Sequence, residues 1–376
     1  MNQSTKWLYF WVGFVLVTLQ FGLVFSFGAL FTSIRDTFQT DRPTTATVHA
    51  LLMGISTSFC AVSGVIINKL GLPVVLLVSS ICMSSGFAVS FIVTDIWYLY
   101  ATISILGGIG ISLFYISFLT VINRTFKGKR RSWCILLQSL CPSIAGLFYP
   151  YLLDVLDSKY GVRGTLLVIG GVFCNSFVFS LMIWLRRNNL TLQPEDKSGE
   201  QEKHCYNTIS KKPRKEQIRV NVESFFKGLM TKRYICLLVA ASISLGISDA
   251  FLDFMFDISH WKGFDNSEAK MVFVVYNLCS IFFSIIVGLI QQVLDIDTYL
   301  LPFGLALFAC IGCLIVIYAD TFVLYAIGLA CMSAVIGILA CASVICADLV
   351  RHELANVAIG TIVTFAGALS AGMGPI

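Results

Sequence analysis

Charge is what this sequence has least of. Asp, Glu, Lys and Arg make up 12% of its 376 residues while 57% are hydrophobic, against about 25% charged in an ordinary soluble domain. That is too little to cover a water-facing surface, which excludes a soluble globular protein. Enzyme signatures are missing as well. The chain has no Gly-x-x-x-x-Gly-Lys-Ser/Thr phosphate loop, no His-Glu-x-x-His and no clustered Cys/His set, so no enzymatic reading, cofactor or metal site follows from it. ATP is not its direct energy source unless another chain supplies it. The net charge of +5 does not point to nucleic acid, because the basic residues sit on no soluble domain.

What is there instead is a series of long apolar runs, at about 7–31, 45–68, 72–93, 97–122, 132–153, 164–185, 234–256, 271–294, 299–318, 321–346 and 355–376. About 20 apolar residues span the hydrocarbon core of a bilayer as a helix. A membrane barrel would instead alternate apolar and polar residues in segments of about ten. The fold class is therefore an all-α, multi-pass membrane protein with eleven spans. The first run is too long, and has too little basic charge before it, for a cleaved signal peptide. Trp7, Tyr9 and Trp11 read as interfacial aromatics at its start. Of the thirteen cysteines only Cys205 lies away from the runs; they read as small buried hydrophobes, not disulfide partners.

The 26 Lys and Arg all fall outside the runs or at their extreme ends. With the N-terminus in the cytoplasm, the inside segments hold twenty of them and the outside segments six, so the positive-inside rule sets the orientation. One composition shift stands out. Residues 187–233 are polar and mixed in charge, and read as a largely disordered cytoplasmic linker; its "KKPRK" cluster is a solvated loop or a contact for anionic lipid. It separates an N-terminal six-helix half (1–186) from a C-terminal half (234–376) with five runs. Two parallel halves joined by a cytoplasmic loop is a transporter layout. On that layout a twelfth span is expected, and the sequence reads as C-terminally truncated.

Several short strings, in order and spacing, resemble the monocarboxylate transporter family of the major facilitator superfamily. "NKLGLPVVLL" (Asn68, Lys69, Gly71) resembles its turn after the second span, "LYATISILGGIG" the start of its fourth, and "TFKGKRR" its basic loop before the fifth, with one extra residue. In "YGVRGTLLVIGG", Gly161, Arg163 and Gly164 match the family's turn into the sixth span while Val162 replaces the usual Trp. "FDNSEAKMVF" and "ADLVRHELANVAIG" resemble the starts of the eighth and eleventh spans. The resemblance covers nearly the whole chain except the linker. It implies a bundle of two six-helix halves in the plasma membrane, and an ancillary single-span membrane subunit as partner besides the solute and the bilayer. The departures fall at the chemistry. Phe25 stands where proton-coupled members carry a lysine, and Ser280 and Ser284 where they carry an Asp and an Arg. The acidic residue and glycines that usually precede the first span are replaced by "NQSTKW". A carboxylate substrate needs a cationic partner in a dry cavity, and no basic residue here is placed to supply one.

The seventh run carries the costliest residues. Asp249 and Asp253, with Ser242 and Gly246, follow +4, +3, +4 spacing and share one face, the pattern of a helix lining a water-filled cavity. Two readings stand: Asp249 binds or relays a cation, or both aspartates hydrate the outer mouth. Asp257 reads as loop. Gln20, Phe25, Asn277, Ser280 and Ser284 are further pathway candidates, with helix–helix hydrogen bonding as the alternative for the polar ones. His49 reads as an interfacial, hydrated histidine or a pH-sensitive gate residue. At the inner end Asp348 pairs with Arg351 or with Lys129, Arg130 and Arg131 as a cytoplasmic gate. The small residues Gly107, Gly108, Gly110, Ala330, Ser333, Ala334 and Gly337 read as close helix packing.

The sequence thus supports a secondary transporter of a small organic solute, monocarboxylate-like, aromatic, neutral or zwitterionic, working by alternating access. A non-transporting membrane receptor on the same scaffold is the alternative, and a proton-coupled monocarboxylate symporter the second.

Overall fold

The computed structural model describes residues 3–185, 232–293, 300–349 and 355–372, and every regular element among them is helical. Seven of these helices are long and apolar enough to cross a membrane. An eighth span is made by the pair Arg42–Ser58 and Cys60–Leu70, bent by 47°. One of the seven, Arg130–Leu185, runs for 56 residues. It is broken at Gly161, whose φ of 64° and ψ of 175° are not helical. A side chain at such a φ is strained, and glycine removes the strain. Its two legs supply the fifth and sixth spans.

In chain order the spans are the first (Gln3–Leu30), the bent second, the third (Leu72–Val89), the fourth (Ile96–Thr125) and the two legs. The eighth falls at Asn266–Val293, the ninth at Leu300–Tyr318 and the tenth at Phe322–Met332 with Val335–Leu349; the helices at the places of the seventh and eleventh, Lys232–Trp261 and Ala355–Gly372, carry shorter apolar stretches, Tyr234–Asp249 and Val357–Ser370. Among the described residues each expected run lies on helix, but two helices outrun it. The first continues through a short 3-10 turn to Phe38. The seventh reaches Trp261, which corrects the reading of Asp257 as loop: nothing in its neighbourhood breaks a helix, and the turn waits for Gly263, at φ 84°.

Apolar packing divides into three clusters. One, around Tyr9, Phe10, Ile67, Leu119, Tyr234, Ile345 and Ala358, draws on helices from both sides of the 186–231 stretch. At the opposite end the cores are separate. Leu23, Phe27, Phe87, Tyr149 and Phe173 pack among the leading spans, and Met255, Val272, Tyr276, Tyr325 and Leu329 among the trailing ones. The leading and trailing spans also meet along two seams, second against eleventh and fifth against eighth. The bundle is therefore shut by a common core at the end bearing the "TFKGKRR" loop, and shared less continuously at the other.

Sequence glycines mark where helices touch. A Cβ on Gly86 would lie 2.7 Å from the Thr102 carbonyl oxygen, and one on Gly110 would lie 2.6 Å from the Met83 nitrogen. Both neighbours are backbone and cannot rotate away. The fourth span begins as a π-helix over Tyr100–Gly107, and the third lies directly against it. Gly86→Ala and Gly110→Ala are each expected to lower stability by about 1–3 kcal/mol through overpacking. Gly171, with open space where its Cβ would be, is the control: Gly171→Ala should be neutral or slightly stabilising. Thermal unfolding of the detergent-solubilised chain compares the three.

Candidate functional site

The seventh and eighth spans carry the polar cluster nearest the middle of the bundle. Asp249 is half-buried in the long Lys232–Trp261 helix. Twelve residues separate it from the helix end at Trp261, roughly 18 Å at the helical rise, and it closes the helix's apolar stretch, Tyr234–Asp249. Beside it the Ser248 hydroxyl meets the Tyr276 hydroxyl at 3.1 Å. Tyr276 is fully buried and within electrostatic reach of Asp249. One turn on, the Ser280 hydroxyl donates to the Tyr276 carbonyl at 2.9 Å. Asn277 donates from Nδ2 to the Phe273 carbonyl at 2.8 Å. Its amide is seated against Gly146 of the fifth span, where an added Cβ would come within 2.6 Å of Nδ2.

Above this cluster, toward Trp261, the structure holds a small cavity between leading and trailing spans. Phe25, Ser26, His49, Pro150, Leu252 and Phe273 line it, and its volume is about 40 Å³. Leu252 is one helical turn beyond Asp249. Such a space holds a few waters and no organic solute. Phe25 stacks on Phe21 with ring centres 5.9 Å apart, and Phe21 meets Tyr115 edge-on at 5.1 Å. An aromatic wall thus runs from the cavity along the first and fourth spans. At the mouth, Asp154 of the fifth span and Lys270 of the eighth form an ion pair across the seam, both partly exposed.

The other sequence candidates fall in different places. Gln20 is fully buried, and neither of its amide atoms has a protein partner; the Ser284 hydroxyl is buried in the same condition. Ser242 and Gly246 do not line water, contrary to the stripe reading. Ser242 donates to the Ile362 carbonyl at 3.1 Å, and a Cβ on Gly246 would sit 2.8 Å from the Ala366 carbonyl oxygen. Small residues there let the eleventh span pack close. His49 is half-buried and lines the cavity. Its Nε2 lies 2.9 Å from the Val24 carbonyl oxygen, and its ring stacks on Phe27.

At the other end Arg130 is exposed and Arg131 half-buried and engaged. The side chains of Asp253, Asp348 and Lys129, and the whole of Arg351, lie outside the described residues. Among the described residues no three His, Cys, Asp or Glu are grouped to hold a metal. Sequence reasoning missed Tyr276, Ser248, Phe273 and Pro150. Tyr276 had a legible signal, four residues before Ser280 on the same helix face. Pro150 and Phe273 had none, because they reach the cavity only through the fifth–eighth seam.

The Major Facilitator Superfamily profile matches residues 9–375. Among curated proteins the chain is 22% identical to monocarboxylate transporter 2 of Rattus norvegicus over 288 residues, covering 76% of this chain and 58% of that protein. It is 28% identical to monocarboxylate transporter 9 of Gallus gallus over 169 residues, covering 45% and 33% respectively. The chain thus aligns with less than two thirds of the length of these relatives. Among solved structures, the proton:xylose symporter XylE bound to 6-bromo-6-deoxy-D-glucose superposes with a TM-score of 0.69 at 13% identity, over 99% of this chain and 88% of that one. At that identity the likeness is one of fold. With a family profile running through every described span, on a bundle of uncharged helices seamed between its second and eleventh and its fifth and eighth members, the chain belongs to the Major Facilitator Superfamily.

Proposed function

We propose that this protein is a secondary transporter that moves a small organic solute across the plasma membrane by alternating access. Two halves, residues 1–186 and 234–376, rock about the cavity that separates them, and the 187–233 linker and the N-terminus face the cytoplasm. The observation that carries the reading is the cavity itself: it lies between leading and trailing spans, one turn from a half-buried aspartate. An ionisable residue inside an apolar membrane helix is a functional-site candidate by default. Asp249, with Ser248 and Tyr276 beside it, is therefore the proton or cation site, and Phe25 with Phe21 and Tyr115 forms the apolar wall of the solute path. Asp253, Gln20, Asn277, Ser280 and Ser284 complete the pathway set, and Asp348 with Arg351 and Lys129, Arg130 and Arg131 the cytoplasmic gate.

The relatives named as monocarboxylate transporters support an organic acid or a molecule of similar size. The residues at the site favour a neutral or zwitterionic one. Among the described residues no Lys or Arg lines the cavity, and Phe25, Ser280 and Ser284 stand where the resemblance places Lys, Asp and Arg. A single-span ancillary subunit would be carried over from the same resemblance.

A second reading, a receptor on a transporter scaffold, draws on the smallness of the cavity and on Phe25 at its wall. Counterflow in proteoliposomes separates the two: exchange of any screened solute supports transport, and saturable binding without exchange supports the receptor. On the transport reading, Asp249→Asn should lower ion-coupled uptake about tenfold or more, the size of a lost charge-assisted hydrogen bond, with surface expression unchanged. Labelled lactate should not enter at acidic outside pH; lactate uptake with matching proton influx would refute the neutral-substrate assignment and restore the proton-coupled symporter.

A further inference from the structure

The bend in the second span has no proline or glycine at its vertex. It falls at Phe59, between Arg42–Ser58 and Cys60–Leu70, and sharp kinks without such residues arise where side chains enter the helix ladder. Hydroxyls crowd this stretch. Ser56 Oγ donates to the Met53 carbonyl at 3.0 Å and Thr57 Oγ1 to the same oxygen at 2.7 Å. Back-bonding of this kind bends helices. The remaining partner comes from the far side of the molecule. Thr364 of the eleventh span accepts from the Ala61 N–H at 3.2 Å, while its own proton points to the Ser58 carbonyl at 3.0 Å, with the Thr57 carbonyl at 3.3 Å. In a straight helix the Ala61 N–H and the Thr57 carbonyl would bond each other. One side chain from another helix serves both ends of that bond.

The approach needed for this contact is built into the two helices. A Cβ on Gly360 would lie 2.9 Å from the Cys60 carbonyl oxygen, one on Gly64 would lie 2.9 Å from Val357 Cγ2, and Gly367 abuts Thr57 itself. Backbone polar groups within a bilayer must be satisfied inside the protein. Parting this seam would strip the bend of its outside partner, and the favourable response is for the second span to straighten and close its own ladder.

We propose that Thr364 is a positioning latch: its hydroxyl couples the bent shape of the second span to closure of the second–eleventh seam, so that each persists only with the other. Its consequence for a transport cycle rests on the function proposed above, but the coupling itself can be tested without any solute. Val357→Cys places one thiol in the seam, facing Gly64 beside the latch, and adds no bulk there. Alkylation of membranes containing the full chain, with the peptide carrying residue 357 quantified by mass spectrometry, reads how often the seam opens.

Thr364→Val, which keeps the shape and loses the hydroxyl, should speed this labelling about fivefold, the equilibrium worth of one net hydrogen bond. Thr364→Ala, which cannot overpack, should rise with it, and Thr364→Ser should label at the parental rate. Amide exchange across residues 57–63 should rise in the first two variants only. An unchanged thermal unfolding midpoint separates an open seam from a misfolded chain. Equal labelling in the parent and either hydroxyl-free variant overturns the latch, as does a serine variant that behaves like valine. A chain that carries no solute would leave these outcomes unaltered, so the two proposals fail independently.

Discussion

The constraint beneath this structure is that a backbone in hydrocarbon has no water to bond. Helices solve it locally, and the composition allows nothing else. Wherever the chain departs from a regular helix, some other group must meet the exposed N–H and C=O. The bend at Phe59 is met by Ser56, Thr57 and Thr364. The Thr321 hydroxyl accepts from the Leu324 N–H at the start of the tenth span. Lys262 reaches the Ile317 and Ala319 carbonyls where the ninth span stops. Some of these groups are local, while Thr364 and Lys262 tie together segments that are distant in sequence.

The same economy explains the placement of polar residues. Serine and threonine hydroxyls mostly bond a carbonyl one turn back in their own helix, as Ser80, Ser84 and Thr120 do. Such residues carry little information about function. Those facing another helix, or nothing, carry more. Ser248 meets Tyr276, Ser63 meets Ser112, and Gln20 has no protein partner at all. Burying an amide without a partner costs about 1–3 kcal/mol by mutational measures, and among the described residues none is paired with the Gln20 amide.

Helices were legible in the sequence because their signal is a length of uninterrupted apolar residues, which neighbours cannot rewrite. Glycines 107, 108 and 110 were legible as packing for the same reason: a missing side chain constrains what may approach. The site was legible only in part. Asp249 announced itself as a charge in an apolar run, whereas Ser242 and Gly246 shared its face and yet pack on the eleventh span. Spacing gives a face but does not say what that face meets. His49 illustrates the limit from the other side. Its identity suggested water, and the structure adds partners that spacing does not show, the Val24 carbonyl and the Phe27 ring. Thr364 lies outside what pattern reading reaches, since its meaning depends on a bend some 300 positions earlier in the chain.

One further feature bears on how such a bundle moves. The fifth and sixth spans are joined through a reversal centred on Gly161, with helix assigned on both sides of it. Most helix pairs are linked by several flexible residues that absorb relative displacement. This pair has almost no slack, so a tilt imposed on the leg that bears Gly146 is passed to the leg that bears Phe173, which is buried against Phe87 of the third span.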